Sequence, residues 1–220
     1  MIPKSAKNNT KVVMMGNYMQ KTQNCLFSFL VIAFSLLAIE CSNPKDKEKK
    51  LDSGAQLSVI LSFHDNGNGI VTGPDGLLWM KCAIGQVWDS SLNTCTGTGG
   101  GTTFGARSMK FCEVAAGCVS PATLVADSGP AFNACNTVTV GGLTGWRLPT
   151  KFELANLGSG MDRPTMLMIF PQTPDDKEFW SASQDENDAN LARAMSFSGV
   201  NFGKEYGRQK TDVKYVKCVR

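Results

Sequence analysis

The chain has 220 residues, 42% of them apolar and 19% charged, with 22 Lys and Arg against 19 Asp and Glu. Lys4, Lys7, Lys11, Lys21 and one acidic residue, Glu40, precede Cys41, which leaves 18 of each sign beyond it. The formal net charge of +3 therefore belongs to the N-terminal segment, and the neutral remainder excludes nucleic-acid binding argued from net charge.

An apolar run from Leu26 to Ile39 follows Lys21 and stops just short of Cys41. It is shorter than the about 20 apolar residues needed to cross a bilayer. Its order is that of a secretory signal: a basic flank, a short apolar centre and a small residue, Ala38, near the cut. Residues 1–40 are read as a signal region, with the mature chain starting at a lipid-modified Cys41 that holds it to the cell envelope, at the outer membrane or cell surface. Glu40 departs from the small residue usual before such a cysteine, so plain secretion and an uncleaved anchor are the alternatives. Met19, Gln20 and Lys21 would make a compact n-region, so translation starting at Met19 is a second reading of the N-terminus. Residues 41–62 open with the polar run CSNPKDKEKKL and suit a flexible tether. Residues 63–220 are long enough for one domain with a substantial core.

Of the eight cysteines, Cys25 lies in the signal and Cys41 at its end, leaving Cys82, Cys95, Cys112, Cys118, Cys135 and Cys218. In an oxidising compartment an even set reads as three disulfides, with 15 connectivities that sequence alone does not resolve. The preferred pairing is Cys82 with Cys95, Cys112 with Cys118 and Cys135 with Cys218; the first two close short loops and the third ties the last strand to the middle of the domain. Zinc is disfavoured, because paired CxxC spacings are absent and His64 is the only histidine.

Along the domain, Asp65 to Gly69 reads DNGNG, a tight-turn signal between strands, since Asn and Gly tolerate positive φ. Asp65, Asn68 and Asp75 are the side chains that would ligate calcium there, but the EF-hand pattern fails at Gly76 and Leu77, and no metal is expected. Leu77 to Lys81 reads as a short strand with Trp79 in the core. The segment TCTGTGGGTTFG, Thr94 to Gly105, reads as a glycine-rich surface loop without the ending of a phosphate-binding loop. Phe111 to Cys135, broken by Pro121 and Pro130, suits a short helix and a cysteine-clipped insert. Trp146, Arg147, Leu148, Pro149 and Thr150 lead into Lys151, Phe152, Glu153 and Leu154. Thr150 and Glu153 have capping-box spacing, so a helix starts there, with Phe152, Leu154 and Leu157 offering apolar contacts and Gly158 placed to end it. Beyond it, Phe179 to Ser183 reads as a strand, Gln184 to Asn190 as a polar loop, Ala192 to Phe197 as a strand, and Val213 to Val219 as the closing strand.

The order DNGNG, LLWMKC, a cysteine, GWRLPTKFEL, FPQTPDDKEFWSAS and VKCVR resembles the family named for the C-terminal domain of the Legionella collagen-like adhesin, over Phe63 to Arg220. The segment Arg147 to Glu153 is also similar to formylglycine-generating enzymes, which share a C-type-lectin-like architecture. The resemblance implies an α+β domain of that kind with short twisted antiparallel strands, two helices and long loops. It also supports the Cys135 to Cys218 pairing and implies that Trp79, Trp146 and Trp180 are framework.

Function divides into three classes. The resemblance implies a surface binding module, an adhesin for host matrix protein or glycans, without a cofactor. A structural envelope lipoprotein with no soluble ligand is the alternative. Catalysis is the least favoured: Cys218 is expected in a disulfide, His64 stands alone beside a turn, and the adjacent Asp175 and Asp176 do not define a site.

Overall fold

The computed structural model describes residues 62–118, 129–158, 161–175 and 177–220. The signal region, Cys41, Pro121 and Asp176 lie outside the described residues. The glycine and asparagine turn does what its sequence demands: β1 (His64–Asp65) and β2 (Ile70–Thr72) flank it, and the Asn66 amide donates to the Ile70 carbonyl at 2.9 Å. With β3 (Leu78–Met80) they make a three-stranded antiparallel sheet. The hairpin of β4 (Gln86–Asp89) and β5 (Thr94–Gly97) stands apart from it. The remaining strands, β6 (Ser108–Lys110), β7 (Glu178–Gln184), β8 (Leu191–Ser196), β9 (Glu205–Gln209) and β10 (Val213–Tyr215), form one sheet in the order β6-β10-β7-β8-β9. It is mixed, because β10 runs parallel to β7 and antiparallel to β6.

Three α-helices accompany the strands among the described residues: α1 (Pro130–Thr137), α2 (Lys151–Gly158) and α3 (Arg163–Ile169). None is long and apolar enough to cross a membrane. The fold is α+β, with a third helix added to the two expected. Pro130 does not break α1 but opens it, occupying the first turn, where a missing N–H costs nothing. The capping box of α2 forms as its spacing requires: the Glu153 amide donates to Thr150 Oγ1 at 3.1 Å and the Thr150 amide to Glu153 Oε2 at 2.8 Å. Leu154 and Leu157 are buried, but Phe152 is 71% exposed, against expectation. Helical phase explains it, since a residue two positions before Leu154 lies on the opposite face.

Alternation along β7 organises the interior. Trp180 and Ala182 lie in one core cluster and Phe179 in a second, while on β8 Ala194 and Met195 divide in the same way. Successive side chains of a strand point to opposite faces, so the sheet carries apolar matter on both sides. Ala131, Phe132 and Cys135 of α1 cover one side; Leu154 and Leu157 of α2, with Met166 and Ile169 of α3, cover the other. The C-terminal segment threads between them. The Arg220 amide donates to the Leu78 carbonyl at 2.8 Å and the Leu78 amide to the Arg220 carbonyl at 2.9 Å, while Val219 and Arg147 exchange both backbone bonds at 2.9 Å.

The cysteines pair as Cys82–Cys95, Cys112–Cys118 and Cys135–Cys218, at sequence separations of 13, 6 and 83. Thr94 to Gly105 is not the open surface loop its composition suggests. Its first residues form β5, and an added Cβ at Gly105 would sit 2.2 Å from the carbonyl carbon of Gly97. The glycines let two backbones touch.

Candidate functional site

The conspicuous motif residues turn inward to build framework. Arg147 donates from both terminal nitrogens to Glu153, at 2.8 and 2.7 Å, and the Trp146 indole donates to the Leu143 carbonyl at 2.8 Å. The Pro149 carbonyl accepts from the Ala182 amide at 2.6 Å, which fastens the start of α2 to β7; Leu148 is buried nearby in the first core. Trp180 donates to the Met109 carbonyl at 2.9 Å, joining β7 to β6 across the intervening β10, and Trp79 is buried in the second core. The motif thus locks a corner of the fold and leaves its polar atoms little freedom to meet a ligand.

Asp65, Asn68 and Asp75 are each engaged separately. Asp65 pairs with Lys81 and accepts from the Gly67 amide at 3.0 Å; Asp75 accepts from the Leu77 amide at 3.1 Å; Asn68 lies against Gly141. Burial raises the Asp65 carboxyl, but Lys81 and the Gly67 amide outweigh it and hold it below its ordinary value. Among the described residues no group of three or more His, Cys, Asp or Glu is placed to hold a metal ion.

Sequence reasoning missed three buried lysines, because charge alone reads as surface. Lys81 meets Asp65, donates to Asn93 Oδ1 at 2.9 Å and lies 3.8 Å over the Trp88 ring. Lys210 donates to the carbonyls of Gly117 and Cys118, at 2.9 and 3.3 Å, and so holds the Cys112–Cys118 loop. Lys217 donates to the carbonyls of Met80 and Lys81, at 3.0 and 2.9 Å, with Phe170 at 4.5 Å. Burial without a carboxylate lowers the Lys217 amine from 10.5 to about 7.

These groups set a pH profile. The Glu178 carboxyl is held below its ordinary 4.5, chiefly by Arg208 and with help from Lys214 at 3.0 Å. Its contribution to stability is complete above that value and is lost as pH falls through the lowered folded one. Lys217 acts in the same sense at higher pH: between about 7 and 10.5 the unfolded chain binds a proton that the folded one does not, so stability rises with pH there too. Above about 10, Tyr215, whose phenol burial pushes up, reverses the trend. Denaturant unfolding across pH should therefore show an acid loss and an alkaline rise, and Lys217→Met should flatten the rise. An unchanged slope in that variant would contradict the assignment to Lys217.

A concave site opens elsewhere, as a cleft of about 510 Å³. One wall is Thr102 and Phe104, in and just after a single 3₁₀ turn. The other is Arg163 and Leu167 of α3, followed by Pro171, Gln172, Thr173 and Asp175. Phe104 and Gln172 face each other's walls with φ of 50° and 49°, left-handed values that non-glycine residues adopt at a cost and mostly where surrounding structure compels them. One side chain reaches both. The Gln86 amide nitrogen donates to the Gln172 carbonyl at 3.0 Å and, more weakly, to the carbonyls of Thr103 and Phe104 at 3.4 and 3.5 Å. Gln86 Oε1 accepts from the Ala83 amide at 2.9 Å, and Gln172 Oε1 accepts from the Cys95 amide at 2.7 Å. The cleft is thus fastened to the hairpin that the Cys82–Cys95 bond secures. Arg163 binds the Phe197 and Thr173 carbonyls at 2.6 and 2.9 Å and Asp175 at 3.2 Å, so its charge is matched within the wall.

None of the cleft's central residues stood out in the sequence. The one available signal was Phe104 itself, a bulky aromatic at the end of a glycine-rich run. Of the carboxylates considered for catalysis, Asp175 is paired with Arg163 and Asp176 lies outside the described residues. His64 is exposed on β1, and Cys218 is bonded to Cys135.

The family model described as the Lcl C-terminal domain matches residues 71–220. No curated protein matches the chain.

Proposed function

We propose, from the premise that the chain belongs to the Lcl C-terminal domain family, that it is an exported binding module of the bacterial cell envelope, an adhesin-like protein whose ligand is a host matrix protein or a glycan. The family match over 71–220 carries the reading. Three disulfides within the domain agree with an oxidising compartment. The engagement of the RLPT motif in framework bonds suits a binding rather than a catalytic part. In this reading a lipid on Cys41 holds the protein to the membrane, at the outer membrane or cell surface, through the tether of residues 41–62.

Two measurements test it. Cys41→Ala should move the protein from the membrane to the soluble fraction and abolish incorporation of labelled palmitate; unchanged fractionation would remove the anchor. The protein presented to immobilised matrix proteins and sulfated glycans should bind saturably in physiological salt. Binding that disappears with modest added salt would indicate unspecific surface charge and favour a structural envelope protein.

A further inference from the structure

We propose that the cleft between Phe104 and α3 is a sugar-binding site, and that it takes an uncharged pyranose stacked on the Phe104 ring. The inference rests on the reading of the domain as a binding module and adds where the ligand sits and of what kind it is.

Three observations carry it. The cleft's volume of about 510 Å³ falls in the range of small-ligand sites, about 300 to 1,000 Å³. Its walls are tied in place: the buried Gln86 side chain donates to the Gln172 carbonyl at 3.0 Å and the Phe104 amide donates to the Gly101 carbonyl at 3.1 Å, so binding loses little to ordering them. The lining then selects the chemistry. Phe104 keeps 38% of its surface exposed, and Leu167 and Pro171 add apolar surface opposite. An aromatic face beside aliphatic carbon matches the C–H face of a pyranose, which presents carbon on one side and hydroxyls around its rim.

Charge decides between classes of sugar. A sulfated or carboxylated glycan needs an unmatched cation in the wall, and the one cation lining this cleft among the described residues, Arg163, faces Asp175 at 3.2 Å and two backbone carbonyls. An anionic ring brought there would meet the Asp175 carboxylate without a compensating charge. A neutral ring meets the exposed Thr102 at its rim and no repulsion.

The test uses the full-length chain in detergent, titrated by calorimetry with cellohexaose, maltohexaose and chitohexaose as neutral probes and heparin as the anionic one, beside the matrix proteins named above. A neutral probe should bind, Phe104→Ala should weaken it by about tenfold or more, and Phe104→Tyr should restore it, with the thermal midpoint unchanged in both variants. Neutral-sugar binding that Phe104→Ala leaves intact would overturn the site. Binding of heparin or matrix protein without any neutral sugar would overturn the ligand class and leave the binding module standing. Failure of every probe would count against both.

Discussion

Replacing Cys135 and Cys218 together by alanine should lower the unfolding free energy by about 4 to 5 kcal/mol, the largest loss expected of the three disulfides. This bond closes a loop of separation 83, against 13 for Cys82–Cys95 and 6 for Cys112–Cys118. In the chain-entropy account, the shorter loops are worth about 3 and about 2 kcal/mol. Position adds to length. Both Cys135 and Cys218 are fully buried in the core cluster that holds Trp146 and Trp180, so their removal also leaves a small void, costing roughly 1 kcal/mol more. Urea unfolding of the three paired variants measures the order. Equal losses would show that the unfolded chain keeps enough structure to cancel the effect of loop length.

Glu153→Ala should cost about 2 to 3 kcal/mol, more than an exposed ion pair is worth, because it undoes two functions at once. Arg147 would keep a guanidinium that is only 24% exposed and lose both of its carboxylate bonds, and the Thr150 amide would lose the bond that starts α2. Glu153→Gln should cost less, since a carboxamide oxygen can still accept from the Thr150 amide. The coupling measured with Arg147→Ala in a double-mutant cycle should exceed about 1 kcal/mol. Coupling near zero would mean that the pair orients the corner without stabilising it. Acid should reproduce part of the loss. Burial works against the Glu153 charge, yet Arg147 and Thr150 outweigh it and keep the carboxyl below 4.5, so this contribution fades as pH falls through the lowered value.

Features with local chemistry were legible from the residues. The Asn-Gly steps require a turn wherever the chain goes, and the spacing of Thr150 and Glu153 is a helix start in itself. β9 and α3 were not legible, for opposite reasons. The strand Glu205–Gln209 has no apolar alternation and is a strand because five of its residues find partners on β8. The helix Arg163–Ile169 is only about two turns long, with Pro164 near its start, and it is fixed by Asp162, whose side chain accepts from the Thr165 amide at 2.9 Å. The candidate cleft is the extreme case. Phe104 and Gln172 lie far apart in sequence, and Gln86, which joins them, is distant from both and carries no motif. Buried lysines were hidden by the rule that charge stays outside, which Lys210 and Lys217 escape by placing their amines on backbone carbonyls.

The exchange of backbone bonds between Leu78 and Arg220, and between Arg147 and Val219, bears on when this domain is able to fold. A seam that joins residue 78 to residue 220 is highly non-local, and nothing emerging earlier from a ribosome substitutes for it. The Cys82–Cys95 and Cys112–Cys118 loops can close as they emerge, whereas Cys135 waits for Cys218, 83 residues further on. A chain arranged in this way cannot complete its core until residues 78 to 220 have all been made, so its last folding step waits on the segment that holds Cys218.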